Sequence, residues 1–166
     1  MLDLFGFKYL RDPFYHTPQG AVEGGPSQDF IDKVFQEHPP PTAAPPPFGP
    51  NGPDLSTPRS AFLVTSVRRG KLFDKIIAEH EYDQVDPERL FKSTRFPPSC
   101  FIQGTEDKTV DEKFARQAHA ELQSHGVESK LLIVEGAPHG FDARLKRGDD
   151  AFRVIEDGLR FLAEHV

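Results

Sequence analysis

Residues 97–110 read PPSCFIQGTEDKTV and residues 131–134 read LLIV, and these two stretches decide the fold. The paired prolines precede a short, largely apolar run at residues 99–103, which predicts a strand. The continuous apolar run at residues 131–134 predicts a second strand that is buried on both faces. Runs of this kind are typical of parallel strands that helices cover on both sides.

Two helices are predicted to alternate with these strands. Thr109 and Glu112 have the spacing of a capping box, and Gly126 suits the left-handed residue that ends a helix. The predicted apolar face of this first helix is Phe114, Ala115, Ala118 and Leu122. Asp149 or Asp150 is predicted to cap the last helix. Its predicted buried stripe is Phe152, Ile155, Leu159 and Leu162. The alternation predicts an α/β fold with a parallel sheet, of which at most three strands are visible.

The first 96 residues are less regular. An apolar run from Leu2 to Leu10 predicts a buried strand, and residues 1–20 are taken as this strand with its following loop. Residues 21–96 form a mixed region. The first predicted helix of this region begins at Ser27 or Gln28. The second has Thr57 as its N-cap and Pro58 as its first residue, with a break at Gly70. A third, short helix has Asp86 as its N-cap. The proline-rich stretch at residues 39–47 predicts a surface loop, with an SH3-type ligand as the alternative.

Composition excludes several classes of function. The formal net charge of −6 argues against nucleic acid as the main partner, because phosphate binding needs a basic face. No stretch approaches the roughly 18 apolar residues of a membrane span, and the N-terminus lacks the pattern of a signal peptide. The single cysteine, Cys100, excludes an internal disulfide, and the seven histidines include no H-E-x-x-H pair. We therefore expect a cytoplasmic protein without a metal or cofactor.

Asp107 and His139 are the candidate catalytic residues. Asp107 lies four residues after Gln103, and His139 lies five residues after Val134. Functional residues of open α/β sheets gather beyond the carboxyl ends of the strands, so neighbouring parallel strands would bring these two side chains together. An aspartate that accepts the Nδ1–H of a histidine fixes its tautomer and stabilises the imidazolium.

The surrounding residues resemble two motifs of the α/β-hydrolases. Residues 97–110, with paired prolines, an apolar strand and G-x-x-D-x-x-V, resemble the acid-bearing turn of that superfamily. Residues 135–141, EGAPHGF, resemble its G-A-x-H-G-F turn around the catalytic histidine. The order, acid before histidine, also agrees with the family. The resemblance is to the hormone-sensitive-lipase-like and prolyl-oligopeptidase-like branches, and it is closest over residues 97–166.

This resemblance implies a partial α/β-hydrolase fold. Residues 97–166 would be the C-terminal core segment of parallel strands and helices, and residues 21–96 would be a helical, proline-rich cap insertion. It further implies hydrolysis of a small acyl ester or a peptide, with Asp107 as the triad acid and His139 as the general base. Gln103 stands where a histidine is frequent in the family, and it lies outside the triad.

The family's nucleophile motif is absent from the 166 residues. Gly25-Pro26-Ser27-Gln28-Asp29 lacks the last glycine of G-x-S-x-G, and no H-G-G-G-type oxyanion motif is present. We therefore expect the C-terminal part of a serine hydrolase whose serine lies on an N-terminal half, so that this chain alone is inactive.

Three alternatives remain open at this stage. The chain could be a hydrolase-derived binding or scaffold protein that pairs its exposed sheet edge with a protein partner. It could be active with a rearranged nucleophile, for which the candidates are Ser27, Ser56, Ser60, Ser66 and Ser99. Cys100 could also serve His139 as a thiol nucleophile, although a cysteine inside an apolar strand is more typical of a small core residue.

Overall fold

The computed structural model describes residues 1–20, 25–39, 48–49 and 52–166. The described strands are β1 (Leu2–Leu4), β2 (Phe48–Gly49), β3 (Gly52–Pro53), β4 (Ser99–Gly104) and β5 (Ser129–Val134). The described α-helices are α1 (Pro13–His16), α2 (Gln28–Asp32), α3 (Pro58–Arg68), α4 (Leu72–Ile76), α5 (Tyr82–Val85), α6 (Glu88–Phe91), α7 (Glu112–Ser124) and α8 (Asp150–Ala163). Short 3-10 helices lie at Lys33–Gln36, Glu79–Glu81 and Phe141–Arg144.

The chain forms two compact units. Residues 1–10 and 83–166 make the first, and residues 11–82 make the second. The assignment of residues 21–96 to a cap stays a prediction. Apart from Pro39, the proline-rich stretch that was predicted as a surface loop lies outside the described residues.

The first unit is built on a parallel sheet, as the sequence predicted, and the strand order is β1-β4-β5. Leu2 pairs with Cys100 at one end of β4, and Gly104 pairs with Val134 at the other. All six residues of β4 are buried because a strand flanks it on each side. The expectation that residues 131–134 are buried on both faces is wrong. Every side chain of β5 is only half-buried, since in the described part of the chain this strand lies at the sheet edge.

The helix between β4 and β5 has the predicted apolar face but not the predicted start. Phe114, Ala115, Ala118 and Leu122 are all buried, and Gly126 follows the helix at a φ of 74°. The capping box at Thr109 is wrong, because α7 begins three residues later. There the Asp111 side chain accepts a hydrogen bond from the Lys113 N–H at 2.9 Å.

The stripe by which the last helix packs on the sheet matches the predicted one only in part, because Ile155 packs against the core but Leu159 does not. Leu159 is 51% exposed, whereas Gly158 and Phe161 are buried. A Cβ on Gly158 would lie 2.7 Å from the Ile102 side chain, so the absence of a side chain lets α8 approach β4 closely. A prediction from the spacing of apolar residues does not count glycine as part of the buried face, so it placed part of the buried stripe of α8 wrongly. Asp149 is the N-cap, within the predicted alternatives.

The predicted strand from Leu2 to Leu10 is wrong beyond its first residues. The strand β1 ends at Leu4, and Phe5 and Tyr9 both have positive φ, 42° and 57°. Such values are incompatible with an extended strand. The Asp86 carboxylate holds the end of this segment, because it accepts the backbone N–H groups of Tyr9 and Leu10 at 3.2 and 2.6 Å. It also accepts the Glu88 N–H at 3.0 Å at the start of α6, where the N-cap residue is Pro87 and not the predicted Asp86.

The second unit contains two of the predicted helices. The Ser27 hydroxyl accepts the Phe30 N–H at the start of α2, and the Thr57 hydroxyl accepts the Ser60 N–H at the start of α3. Gly70, at a φ of 61°, separates α3 from α4 at the predicted break. The antiparallel pair of β2 with β3 was not predicted. No helix in the described part of either unit has the length and apolar character needed to cross a bilayer.

The C-terminus of α8 is held by His165, whose two ring nitrogens both face hydrogen-bond acceptors. His165 Nδ1 lies 2.7 Å from the Phe161 carbonyl oxygen, and Nε2 lies 3.2 Å from the Glu128 carboxylate. Both partners only accept hydrogen bonds, so this geometry favours the protonated ring, in which both nitrogens donate. The Phe161 carbonyl and then Glu128 raise the pKa of His165 above its usual range.

We expect Glu128→Gln to weaken this attachment mainly at low pH. A raised pKa in the folded protein contributes stability that is complete below pH ~6.5 and is lost as the pH rises through the folded-state value. The urea midpoint of Glu128→Gln should therefore fall further below wild type at pH 5.5 than at pH 8.5. Glu135→Gln, at an exposed glutamate, is the control. An equal loss at both pH values would contradict the protonated attachment.

Candidate active site

Backbone N–H groups join the loops that follow β4 and β5. The Thr105 N–H donates to the Val134 carbonyl oxygen at 3.1 Å, and the Glu106 N–H donates to the Ala137 carbonyl oxygen at 3.1 Å. The Gly136 N–H donates to the Thr105 hydroxyl at 2.8 Å. Because the two strands are parallel and end in register, their loops leave the same edge of the sheet and lie side by side.

These loops bring the two predicted site residues together. His139 Nδ1 lies 2.8 Å from Asp107 Oδ2. The Asp107 side chain is completely buried, whereas 27% of the His139 side chain is exposed. The Asp107 carboxylate accepts hydrogen bonds and donates none, so Nδ1 carries the hydrogen. In the neutral ring Nε2 then has the free electron pair and can accept a proton.

Gln103 is a site residue that the sequence analysis missed. This residue of β4 is fully buried, and its Nε2 donates to Asp107 Oδ2 at 2.9 Å. The family resemblance had placed it outside the triad, where it carried no assigned role. Its signal in the sequence was a single amide inside an apolar strand, four residues before Asp107. A polar side chain in a buried strand needs a partner, and here the partner is the site carboxylate.

An aromatic side chain packs against the histidine ring. The Phe5 ring lies 5.0 Å from the His139 ring, at an interplanar angle of 66°. Phe5 also lies 5.5 Å from the Phe141 ring. The backbone of Phe5 is fixed in its left-handed conformation where its N–H donates to the Ile102 carbonyl oxygen at 3.0 Å. The segment after β1 therefore packs against the histidine, a role that a strand over residues 2–10 would not allow.

A buried lysine holds this segment in place. Lys8 is completely buried, and its Nζ donates to Asp3 Oδ1 at 3.1 Å and to the Gly6 carbonyl oxygen. It lies 5.6 Å from the centre of the Phe101 ring. Burial lowers the pKa of Lys8, and the charge of Asp3 acts against this. Asp3 also accepts the Gly6 N–H at 3.0 Å, so the pair fixes the turn that begins at Phe5.

The structure places the other candidate nucleophiles away from this edge or in structural roles. Ser99 is fully buried at the start of β4, the opposite end from Asp107, and its hydroxyl donates to the Pro97 carbonyl oxygen at 2.8 Å. Cys100 is buried beside it, and burial raises the pKa of its thiol, which disfavours the reactive thiolate.

Three of the four candidate serines of the second unit have structural surroundings, whereas Ser56 is exposed in a bend where its N–H donates to Asp54 Oδ1 at 2.9 Å. Ser27 caps α2, and Ser60 and Ser66 are buried on α3. Within the described ranges no group of three or more metal-binding side chains converges.

The Gly104→Ala substitution should separate the two loops. A Cβ at Gly104 would lie 2.1 Å from the Ala137 carbonyl oxygen, which is backbone and cannot turn aside. We expect a loss of about 3 kcal/mol in the free energy of unfolding, measured with urea. Gly136→Ala is the comparison, because its Cβ meets nothing within 4 Å and only its φ of 71° is unfavourable. It should cost about 1–2 kcal/mol. Equal costs for the two variants would contradict the close approach.

The Asp3→Asn substitution should expose the cost of an unpaired buried ammonium. We expect it to lower the free energy of unfolding by about 3 kcal/mol, because Lys8 loses its counter-charge. The double variant Asp3→Asn/Lys8→Met should recover much of that loss. Glu112→Gln, which breaks the solvent-exposed Glu112–Arg116 pair, should cost under about 1 kcal/mol in the same urea titration. If Asp3→Asn costs no more than this control, Lys8 does not depend on Asp3.

Comparison with known proteins places the chain in a family. The model of the prolyl oligopeptidase family matches residues 58–166. The non-reducing polyketide synthase prhL of Penicillium brasilianum is 41% identical over 71 residues, which are 42% of this chain and 3% of that protein. The non-reducing polyketide synthase mapC of Penicillium brevicompactum is 32% identical over 91 residues, 53% of this chain and 4% of that protein. The chain thus spans only a small part of the curated relatives it matches.

Solved structures of an esterase are also similar to part of the chain. The apo form of Thermogutta terrifontis esterase 2 is 28% identical with a TM-score of 0.46, over 56% of this chain and 34% of that one. The same esterase phosphoramylated by tabun is 30% identical with a TM-score of 0.43, over 58% and 36%. The family model covers more than half of the sequence, including the Asp107 and His139 turns, and the chain therefore belongs to the prolyl oligopeptidase family within the α/β-hydrolase superfamily.

Proposed function

We propose that this chain supplies the acid and the histidine of a serine-hydrolase triad that cleaves a small carboxylic ester or a peptide. The observation that carries the proposal is the 2.8 Å contact between His139 Nδ1 and Asp107 Oδ2, at the carboxyl ends of two adjacent parallel strands. The 166 residues contain no G-x-S-x-G motif. The serine would therefore come from another polypeptide segment, either a further part of a longer chain or a separate partner protein.

The geometry suits His139 to act first as a base and then as an acid. Its Nε2 would take the proton of the serine hydroxyl as the oxygen attacks the substrate carbonyl. Asp107 would stabilise the imidazolium that forms, and the same Nε2 would then protonate the leaving group. The burial of Asp107 strengthens this interaction, because water does not screen a charge pair on its buried side.

The sequence relatives support an acyl ester as the substrate. The matched proteins are polyketide synthases by name, and polyketides are built as acyl chains. An ester or thioester of an acyl chain presents the same carbonyl carbon to a serine as a simple carboxylic ester does. A peptide bond remains the other substrate class, since the matched family is named for an oligopeptidase.

A hydrolase-derived binding or scaffold protein is the second candidate. In the described residues β1 pairs with β4 on one side only, so its other edge offers backbone groups to a partner strand. A strand edge of this kind is a surface for protein pairing. The two functions differ in one measurable property, because only the hydrolase requires the imidazole of His139.

His139→Ala should abolish turnover in the protein as it occurs in its source. The chain is isolated together with whatever polypeptide carries the serine, and hydrolysis of p-nitrophenyl butyrate and labelling by a fluorophosphonate probe are measured. We expect kcat/KM to fall by at least about 10³-fold, because the serine loses its base. His125→Ala, at an exposed histidine beyond α7, is the matched control and should leave turnover unchanged.

Two outcomes would overturn this assignment. Retention of most turnover in His139→Ala would show that His139 is not the base. Alternatively, the absence of turnover and of probe labelling in the wild-type assembly would favour the scaffold. If turnover is present, alanine at Ser27, Ser56, Ser60, Ser66 and Ser99 should leave it intact, since we place the nucleophile outside these residues.

A further inference from the structure

The Asp107 carboxylate accepts four hydrogen bonds. Oδ1 accepts the backbone N–H groups of Thr109 and Val110 at 2.8 and 2.9 Å. Oδ2 accepts the Gln103 amide at 2.9 Å and faces His139 Nδ1 at 2.8 Å. The turn of Asp107 itself therefore fixes one oxygen. The other oxygen, Oδ2, which faces the histidine, is held in place by the Gln103 amide.

The Gln103 amide can take only one orientation. Its Nε2 donates to the Val110 carbonyl oxygen at 2.8 Å as well as to Asp107 Oδ2, so both of its hydrogens are used. An amide turned by 180° would place Oε1 against a carboxylate and a carbonyl, which are both acceptors. The two donated bonds thus fix the amide, and the amide in turn fixes Oδ2.

Packing alone does not explain a glutamine at this position. Gln103 is completely buried, and among the described residues its Oε1 has no hydrogen-bond partner. A buried acceptor without a partner reduces stability, and an apolar side chain of the same length would avoid that loss. What an apolar residue could not do is donate to Asp107.

The donor is also neutral, which matters for the histidine. A cation at this place would compete with the imidazolium for the carboxylate. The nearby Lys8 ammonium does not take this role, because it donates to Asp3 and Gly6. Gln103 orients Oδ2 without bringing a positive charge to the carboxylate.

We propose that Gln103 is a positioning residue of the site, which aligns Asp107 Oδ2 with His139 Nδ1 and so selects the histidine tautomer with a free Nε2. The inference rests on the proposed function for its catalytic meaning. Its test requires no turnover, so a failure of the proposed function and a failure of this alignment give different results.

The test is the hydrogen-bonded Nδ1–H proton of His139, observed by NMR in the ¹⁵N-labelled full chain at low temperature. We expect a downfield resonance in wild type that disappears in His139→Gln, which assigns it. Gln103→Met keeps the length of the side chain and removes the donor. The resonance should be lost through exchange with water, or move upfield, while the folded amide spectrum is retained.

Gln117→Met is the matched control. Gln117 Nε2 donates to Glu121 Oε1 at 3.4 Å on the exposed face of α7, so the same substitution there removes the same kind of bond. This variant should keep the His139 resonance at its wild-type position. A Gln103→Met protein that folds and keeps a sharp, unshifted resonance would overturn the proposal.

A second measurement needs no substitution and applies even if Gln103→Met fails to fold. In the wild-type chain the side-chain amide protons of Gln103 should exchange with deuterium at least about tenfold more slowly than those of Gln117, because buried, bonded amides exchange only through opening. Exchange as fast as that of Gln117 would show that Gln103 does not hold the carboxylate, and would equally overturn the proposal.

Discussion

The parallel pairing of β4 with β5 is the constraint on which the candidate site depends. The two strands end in register at Gly104 and Val134, so their loops leave from one edge of the sheet. The loops then approach so closely that a Cβ at Gly104 would lie 2.1 Å from the Ala137 carbonyl oxygen. A glycine at the end of β4 is thus the condition for the contact between Asp107 and His139, which are 32 positions apart in the sequence.

Around this contact the first unit is organised by buried polar groups that all need partners. Asp107 is satisfied by its own turn, by Gln103 and by His139, and Lys8 is satisfied by Asp3 and Gly6. Each arrangement orients the histidine indirectly, the first through its carboxylate and the second through the turn that carries Phe5. Because leaving a buried charge unpaired costs far more than a bond between exposed groups contributes, such networks define one geometry.

The pair of Asp107 and His139 resembles the acid and the base of a serine-hydrolase triad without its nucleophile. A histidine with its tautomer set by a buried carboxylate is prepared to accept a proton, and a serine hydroxyl is the proton donor that the family employs. Of the candidate serines, Ser27 caps α2, Ser60 and Ser66 lie buried on α3, and Ser99 bonds to the backbone at the far end of β4. This distribution supports the proposal that the nucleophile lies on another segment.

Much of the first unit could be predicted from the sequence alone. The apolar runs indicated β4 and β5, helical spacing indicated the buried face of α7, and two short motifs identified Asp107 and His139. Only the tertiary structure decided the rest. It showed that β5 lies at a sheet edge, that Gly158 brings α8 onto Ile102, that the segment after Leu4 turns against His139, and that Gln103 and Lys8 are buried. The reason is physical: periodicity and motifs report what neighbours in the sequence share, whereas a close backbone approach or a partner for a buried polar atom depends on residues distant along the chain.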